Sequence, residues 1–174
     1  MSSVVALTLA EVNALSAADY VARFGDVAEH SPWVAEVAAR ARPHASREAM
    51  IEAFAEAVRV APEEARLALV RAHPDLAGKA ARAGAMAEDS KREQAGVGLD
   101  TLTDEEFARF ERLNDAYRAK FGFPFIFAVK GATKTMILDA FEARLPDTLA
   151  AEFETAIAQV SRIFRFRLED RVAP

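Results

Sequence analysis

Helix start and stop signals recur along almost the whole chain, and strand-like alternation is nearly absent. "SAADYVARFG" begins at the N-cap Ser16 and ends at Gly25. "SPWVAEVAARARP" begins with Ser31 as cap and Pro32 in the first turn, and "SREAMIEAFAEAVRV" begins with Ser46. "PEEARLALVRAH" carries two glutamates in its first turn, where the helix dipole favours negative charge. "TDEEFARFERLNDAYRAKFG" has a capping box, Thr103 with Glu106, and stops at Gly122. "TKTMILDAFEARL" and "DTLAAEFETAIAQVSRIFRFRLED" follow, with 7 Gly and 7 Pro falling at the joints. The expectation is an all-α fold, one compact multi-helix domain over residues 1–174. The exception is "FGFPFIFAVKG", residues 121–131, which is apolar, contains Pro124 and is bounded by glycines. It reads either as a buried extended segment or as a helix start.

With 174 residues, 52% of them hydrophobic and 28% charged, the chain has enough apolar side chains for an ordinary core. The net charge of −5 is spread among mixed signs, with no basic block to suggest nucleic acid. The absence of Cys removes disulfides, thiolate nucleophiles and cysteine metal sites. No apolar run approaches membrane-spanning length. The first residues lack the basic start of a signal peptide, and "EDRVAP" is not a peroxisomal tripeptide. The expected location is the cytoplasm.

Three places hold residues suited to chemistry. In "RAHPDLAGKAA", Pro74 disfavours helical geometry at His73, so the helix ends there and the imidazole lies near its negative dipole end. A histidine cap, with Asp75 opening the next helix, explains the same pattern without chemistry. In "DSKREQAG", Ser90, Glu93 and Gln94 share one face of a helical turn. Ser-x-x-Glu is also a plain capping box. In "SRIFRFRLEDR", Phe153, Ile157, Val160, Phe164 and Leu168 form an apolar stripe, with Arg162 and Arg165 pointing away. Arg167 lies at the stripe's edge, where it needs a buried anion, either a structural partner or a ligand. Arg171 also falls on the stripe, close enough to the end to fray. Trp33 in "EHSPWV" reads as a core anchor. The three histidines, His30, His44 and His73, are not at metal-ligand spacing, and no phosphate-cradling glycine loop occurs. An enzyme built on this chain is expected to use His, Glu and Arg without metal or cofactor.

"EHSPWVAEVA", "RAHPDLAGKAA", "SKREQAGVGLDTLT", "KFGFPFIFAVKG" and "FRFRLEDRV" together resemble the 2-oxo-4-hydroxy-4-carboxy-5-ureidoimidazoline (OHCU) decarboxylases, in order and approximate spacing. The resemblance covers essentially the whole chain, with no departure at the motif positions. It implies an all-helical, cofactor-independent carboxy-lyase, usually a homodimer, that converts OHCU to (S)-allantoin after uricase and hydroxyisourate hydrolase. It implies His73 and Glu93 as catalytic residues. It also implies substrate contacts from Pro74, Ser90, Gln94 and Arg167, and from main-chain groups of Phe125, Ile126, Phe127, Ala128 and Val129. "HPD" is equally the signature of J-domain co-chaperones. Against that reading stand the long gap from HPD to "DAY", the intervening SxxEQ segment and the few basic residues before HPD. A helical family member without activity is the remaining alternative.

Overall fold

The computed structural model describes residues 5–174, apart from the side chains of residues 80 and 82. The elements in order are α1 (Leu9–Ala14), α2 (Ala17–Phe24), α3 (Trp33–Ala39), α4 (Arg47–Arg59), α5 (Glu63–Ala72), α6 (Lys79–Arg82), α7 (Glu88–Gly96), α8 (Asp104–Phe121), α9 (Lys134–Arg144) and α10 (Leu149–Arg171). They fall into two compact units, one holding the chain up to Leu69 with Ser161–Pro174, the other Val70–Val160.

In the first unit, Ser16 and Ser46 cap α2 and α4 by accepting from Asp19 N and Ala49 N. Tyr20, Phe24, Val34, Met50, Phe54, Phe164 and Leu168 are fully buried, with Phe54 edge-on to Phe164 at 6.1 Å. Two expectations need correcting here. Ser31 is not the cap of α3: its hydroxyl turns back to Glu29 O at 2.8 Å, and Pro32 takes the cap position. Trp33 is only partly buried, because as the first helical residue it stands at the border of the core.

The end of α10 does not fray either. Leu7 N donates to Arg171 O at 2.9 Å and Ala173 N to Leu7 O at 2.8 Å, a parallel bridge between the two chain ends. Arg171 adds bonds to Arg23 O and to the Asp26 carboxylate.

His44 is buried in this unit, its Nε2 3.0 Å from the Tyr20 hydroxyl. The Asn13 amide brackets its backbone, accepting from His44 N at 2.8 Å and donating to His44 O at 2.9 Å. Burial, with the Arg42 guanidinium nearby, holds the imidazole below its ordinary value.

The second unit is organised by α8. Its capping box is as expected: Thr103 N donates to Glu106 Oε2 at 3.0 Å and Glu106 N to Thr103 Oγ1 at 3.2 Å. Its C-terminus closes on Gly122 at φ +76°, a left-handed turn that only glycine enters freely. The following segment, residues 123–129, is non-helical and largely buried, so "FGFPFIFAV" is not a helix start. Phe125 stacks on Phe141 with centroids 3.6 Å apart and meets Tyr117 edge-on at 5.3 Å.

Such a segment lacks a helix or sheet ladder, so side chains satisfy its peptides. Arg144 Nη1 donates to Ile126 O at 2.7 Å, and Ala128 N donates to Gln159 Oε1 at 2.9 Å. Arg144 is itself anchored by the fully buried Glu152, its Nε 2.7 Å from Oε1, and Tyr117 donates its hydroxyl to the same oxygen. Burial and that carboxylate raise the Tyr117 phenol far above its ordinary value.

His44 makes stability pH-dependent. Its folded value lies below the ordinary unfolded value of about 6.5. The unfolded chain therefore takes up a proton first as pH falls. This contribution is complete above that value and declines as pH drops through the folded one. Melting temperature measured between pH 7.5 and pH 5 should fall less steeply for His44→Gln than for the wild type. Parallel curves would remove His44 as a source of the acid sensitivity.

Candidate active site

α5 ends at Ala72, with His73 N donating to Val70 O at 3.3 Å, and the chain leaves the helix at Pro74 as the X-Pro rule requires. His73 is 6% exposed. Residues 73–78, HPDLAG, form a bent connection to α6. Ala77 sits at φ +52°, which costs a non-glycine residue roughly 1–2 kcal/mol. Gly78 is required by contact, since a Cβ there would lie 2.8 Å from the Cβ of Asp75. Asp75 does not open the next helix. Gly78 occupies the cap of α6, and the Asp75 carboxylate pairs with Arg118 of α8 at 2.9 Å.

Ser90, Glu93 and Gln94 lie on α7, which begins at Glu88 after the cap position Ala87. Ser90 is therefore inside the helix, and the Ser90–Glu93 capping box does not form. Ser90 and Gln94 are buried and Glu93 partly so. A helix that buries serine and glutamine instead of apolar residues is spending its inward face on polar contact. Gln94 shows how. Its Oε1 accepts from Ala77 N at 2.9 Å, and its Nε2 donates to Asp75 O at 3.3 Å and approaches Met86 Sδ at 3.2 Å. The amide expected to hold substrate thus holds the loop that carries His73.

Asn114 of α8 does the same from another side, donating from Nδ2 to Leu76 O at 2.8 Å. Sequence reading passed over Asn114. Its signal is a polar residue in register with Phe110, Tyr117 and Phe121, the buried face of α8.

The expected pocket-wall residues Phe125, Ile126, Ala128 and Val129 are buried in the same unit, and Phe127 partly so. Ile126 O and Ala128 N are already engaged by Arg144 and Gln159. Arg167 lies in the first unit. It is 2% exposed and donates to Val27 O at 3.1 Å and to Glu29 Oε1 at 2.9 Å, with Glu29 3% exposed. Of the two readings of Arg167, the structural ion pair is present. Arg165 instead pairs with Glu48 at the surface, and that hydrogen bond holds the Glu48 carboxyl below its ordinary value. Among the described residues, no cluster of three His, Asp or Glu side chains is arranged for a metal ion, and no helix is long and apolar enough to cross a membrane.

A sequence model of the family described as OHCU decarboxylase matches residues 13–169. The chain belongs to the OHCU decarboxylase family. The 2-oxo-4-hydroxy-4-carboxy-5-ureidoimidazoline decarboxylase of Haloferax volcanii is 42% identical over 165 residues, covering 95% of this chain and 96% of that protein. The uric acid degradation bifunctional protein PucL of Bacillus subtilis is 39% identical over 163 residues, covering 94% of this chain and 32% of that longer protein. Among solved structures, (S)-allantoin synthase superposes with a TM-score of 0.77 at 30% identity, covering 95% of this chain and 54% of that one. The all-helical OHCU decarboxylase fold therefore extends over both units.

The two arginines sit in opposite surroundings. Removing Glu29 takes the anionic partner from the buried Arg167 guanidinium, so Glu29→Ala should destabilise the protein by roughly 3–5 kcal/mol in chemical denaturation. Glu48→Ala, at the exposed Arg165 pair, should leave the unfolding midpoint unchanged. Equal effects would mean that burial does not distinguish the pairs.

Proposed function

We propose that this chain decarboxylates OHCU to (S)-allantoin, the closing step of urate conversion, with His73 and Glu93 as its acid–base pair. The observation that carries the reading is the family match over residues 13–169. The substrate carries a carboxylate and a hydroxyl on one ring carbon, beside an imine-like carbon bearing the ureido group. When the carbon–carboxylate bond breaks, its electron pair forms a double bond to the neighbouring carbon. The imine pair moves onto nitrogen, which takes a proton. The resulting enol loses its hydroxyl proton and gains one on the ureido-bearing carbon, from one face only.

This sequence needs a group that holds the hydroxyl and exchanges protons near neutrality. An imidazole does so, and a positioned general acid or base contributes typically ~10²–10⁴-fold. Glu93 orients His73 and favours its charged form. Ser90 and Pro74 line the substrate's position, with main-chain groups of the 125–129 segment. Gln94 contributes through the loop it holds as well as by direct contact. Arg167 supplies a planar donor for the ureido or carbonyl oxygens. Burial of the aromatic segment around Phe125 keeps water from the carboxylate, which favours its loss.

The proposal extends to one catalytic domain over residues 1–174, a homodimer in the cytoplasm with no bound cofactor. Uricase and hydroxyisourate hydrolase act upstream. The presence of a related segment in a bifunctional uric acid degradation protein supports that coupling.

OHCU generated freshly by those two enzymes, with allantoin followed by circular dichroism, tests the reading. Wild-type protein should give a rapid (S)-allantoin signal, and folded His73→Ala or Glu93→Ala only the slow racemic background. Near wild-type rates in either variant would remove that residue from the chemistry. Arg167→Lys should lose turnover, because an ammonium cannot reproduce the two-directional fork. Unchanged kcat and KM there would remove Arg167 from substrate binding.

A further inference from the structure

We infer that Asn114 is a positioning residue for the decarboxylation, setting His73 in place through the backbone of the HPDLAG loop. This rests on the reading of His73 as the proton-transfer group.

Three consecutive residues of that loop are held by side chains from two helices. Gln94 of α7 takes Asp75 O and Ala77 N, Asn114 of α8 takes Leu76 O, and Arg118 of α8 takes the Asp75 carboxylate. The peptides they bind have no helical ladder of their own. Ala77 keeps its left-handed φ of +52° because its surroundings over-determine it. Asn114 is 3% exposed, and its Oδ1 is buried without a hydrogen-bond partner among the described residues. An apolar side chain would avoid that penalty, so the amide is retained for what its Nδ2 does.

The loop is not packed on every side. A cavity of about 250 Å³ opens against Pro74, Asp75 and Gly78 of the loop, with Asn114 and Arg118 on its other wall. On that side the loop is only partly backed by packed side chains. Releasing Leu76 O frees the loop three residues from His73, and small misplacements of a catalytic group cost about 10²-fold in rate.

Only 3 His occur in the chain, so ring NMR signals resolve the question, with His73→Gln identifying the His73 resonance. Asn114→Ala removes the donor. Asn114→Asp keeps the volume but presents oxygen to Leu76 O, and serves if the alanine variant does not fold. The expected result is a drop in kcat of about 10²-fold with KM little changed, because alignment and not binding is lost. The His73 resonance should move while that of His44, held by Tyr20, stays in place as the folding control. A merely stabilising Asn114 would leave both kcat and the His73 resonance of the folded protein at wild-type values, and that result overturns the proposal. Wild-type turnover in His73→Gln would overturn the underlying reading and the proposal with it. Loss of turnover there, with the Asn114 variants unaffected, overturns the proposal alone.

Discussion

A buried peptide outside a helix must find a partner, and that requirement shapes the second unit. Among the stretches that leave the helical ladder inside it are residues 73–78 and 123–129, both largely buried. Both coincide with motifs that carry the family resemblance. Neither has a strand to pair with. Their carbonyls and amides are taken by Gln94, Asn114, Arg144 and Gln159, each reaching in from a helix. The helices thus do more than enclose a core. They carry the polar side chains that let non-helical backbone be buried at all, since each unmade bond would cost about 1–3 kcal/mol. Backbone freed from the ladder can hold His73 and an aromatic wall in geometries that a helix face does not offer.

Buried charge follows the same logic. Glu152 has no solvent exposure, yet its carboxylate joins Arg144 and Tyr117, and Arg144 in turn holds Ile126 O. Glu29 and Arg167 form the corresponding pair in the first unit, with Val27 O as a third member. Desolvating such pairs offsets most of their attraction, so their net contribution to stability is small. What they provide is a defined orientation for a main-chain carbonyl. The exposed pairs, such as Arg165 with Glu48, carry no comparable constraint.

Much of the helical scheme was legible from local chemistry. The caps at Ser16, Ser46 and Thr103 and the left-handed stop at Gly122 depend on a few adjacent residues, and they appear where those residues stand. The helix end at Ala72 follows from Pro74 alone. Local reading failed where a side chain took a different partner or a helix started elsewhere. Ser31 turned back to Glu29 O, Asp75 went to Arg118 instead of capping α6, and Ser90 was drawn inside α7. Arg171, read as frayed, is pinned by a bridge to the other end of the chain.

The candidate site was legible in its residue types and not in its wiring. Motif order and the family resemblance pointed to His73, Glu93, Gln94 and Arg167. Asn114, Arg144 and Glu152 were missed because each is a polar residue on a helix, and Glu29 because it stands in the turn before α3; neither setting reveals a residue's partner. By itself the sequence determined most helix positions, the family and the chemical repertoire, since capping, proline geometry and motif order act over a few bonds. Only the tertiary structure decided that Gln94 and Asn114 hold the histidine's loop, and that Arg167 faces Glu29. Those pairings join residues 17 to 138 positions apart, and the demand that creates them, a buried polar group needing a partner, exists only once the core has formed.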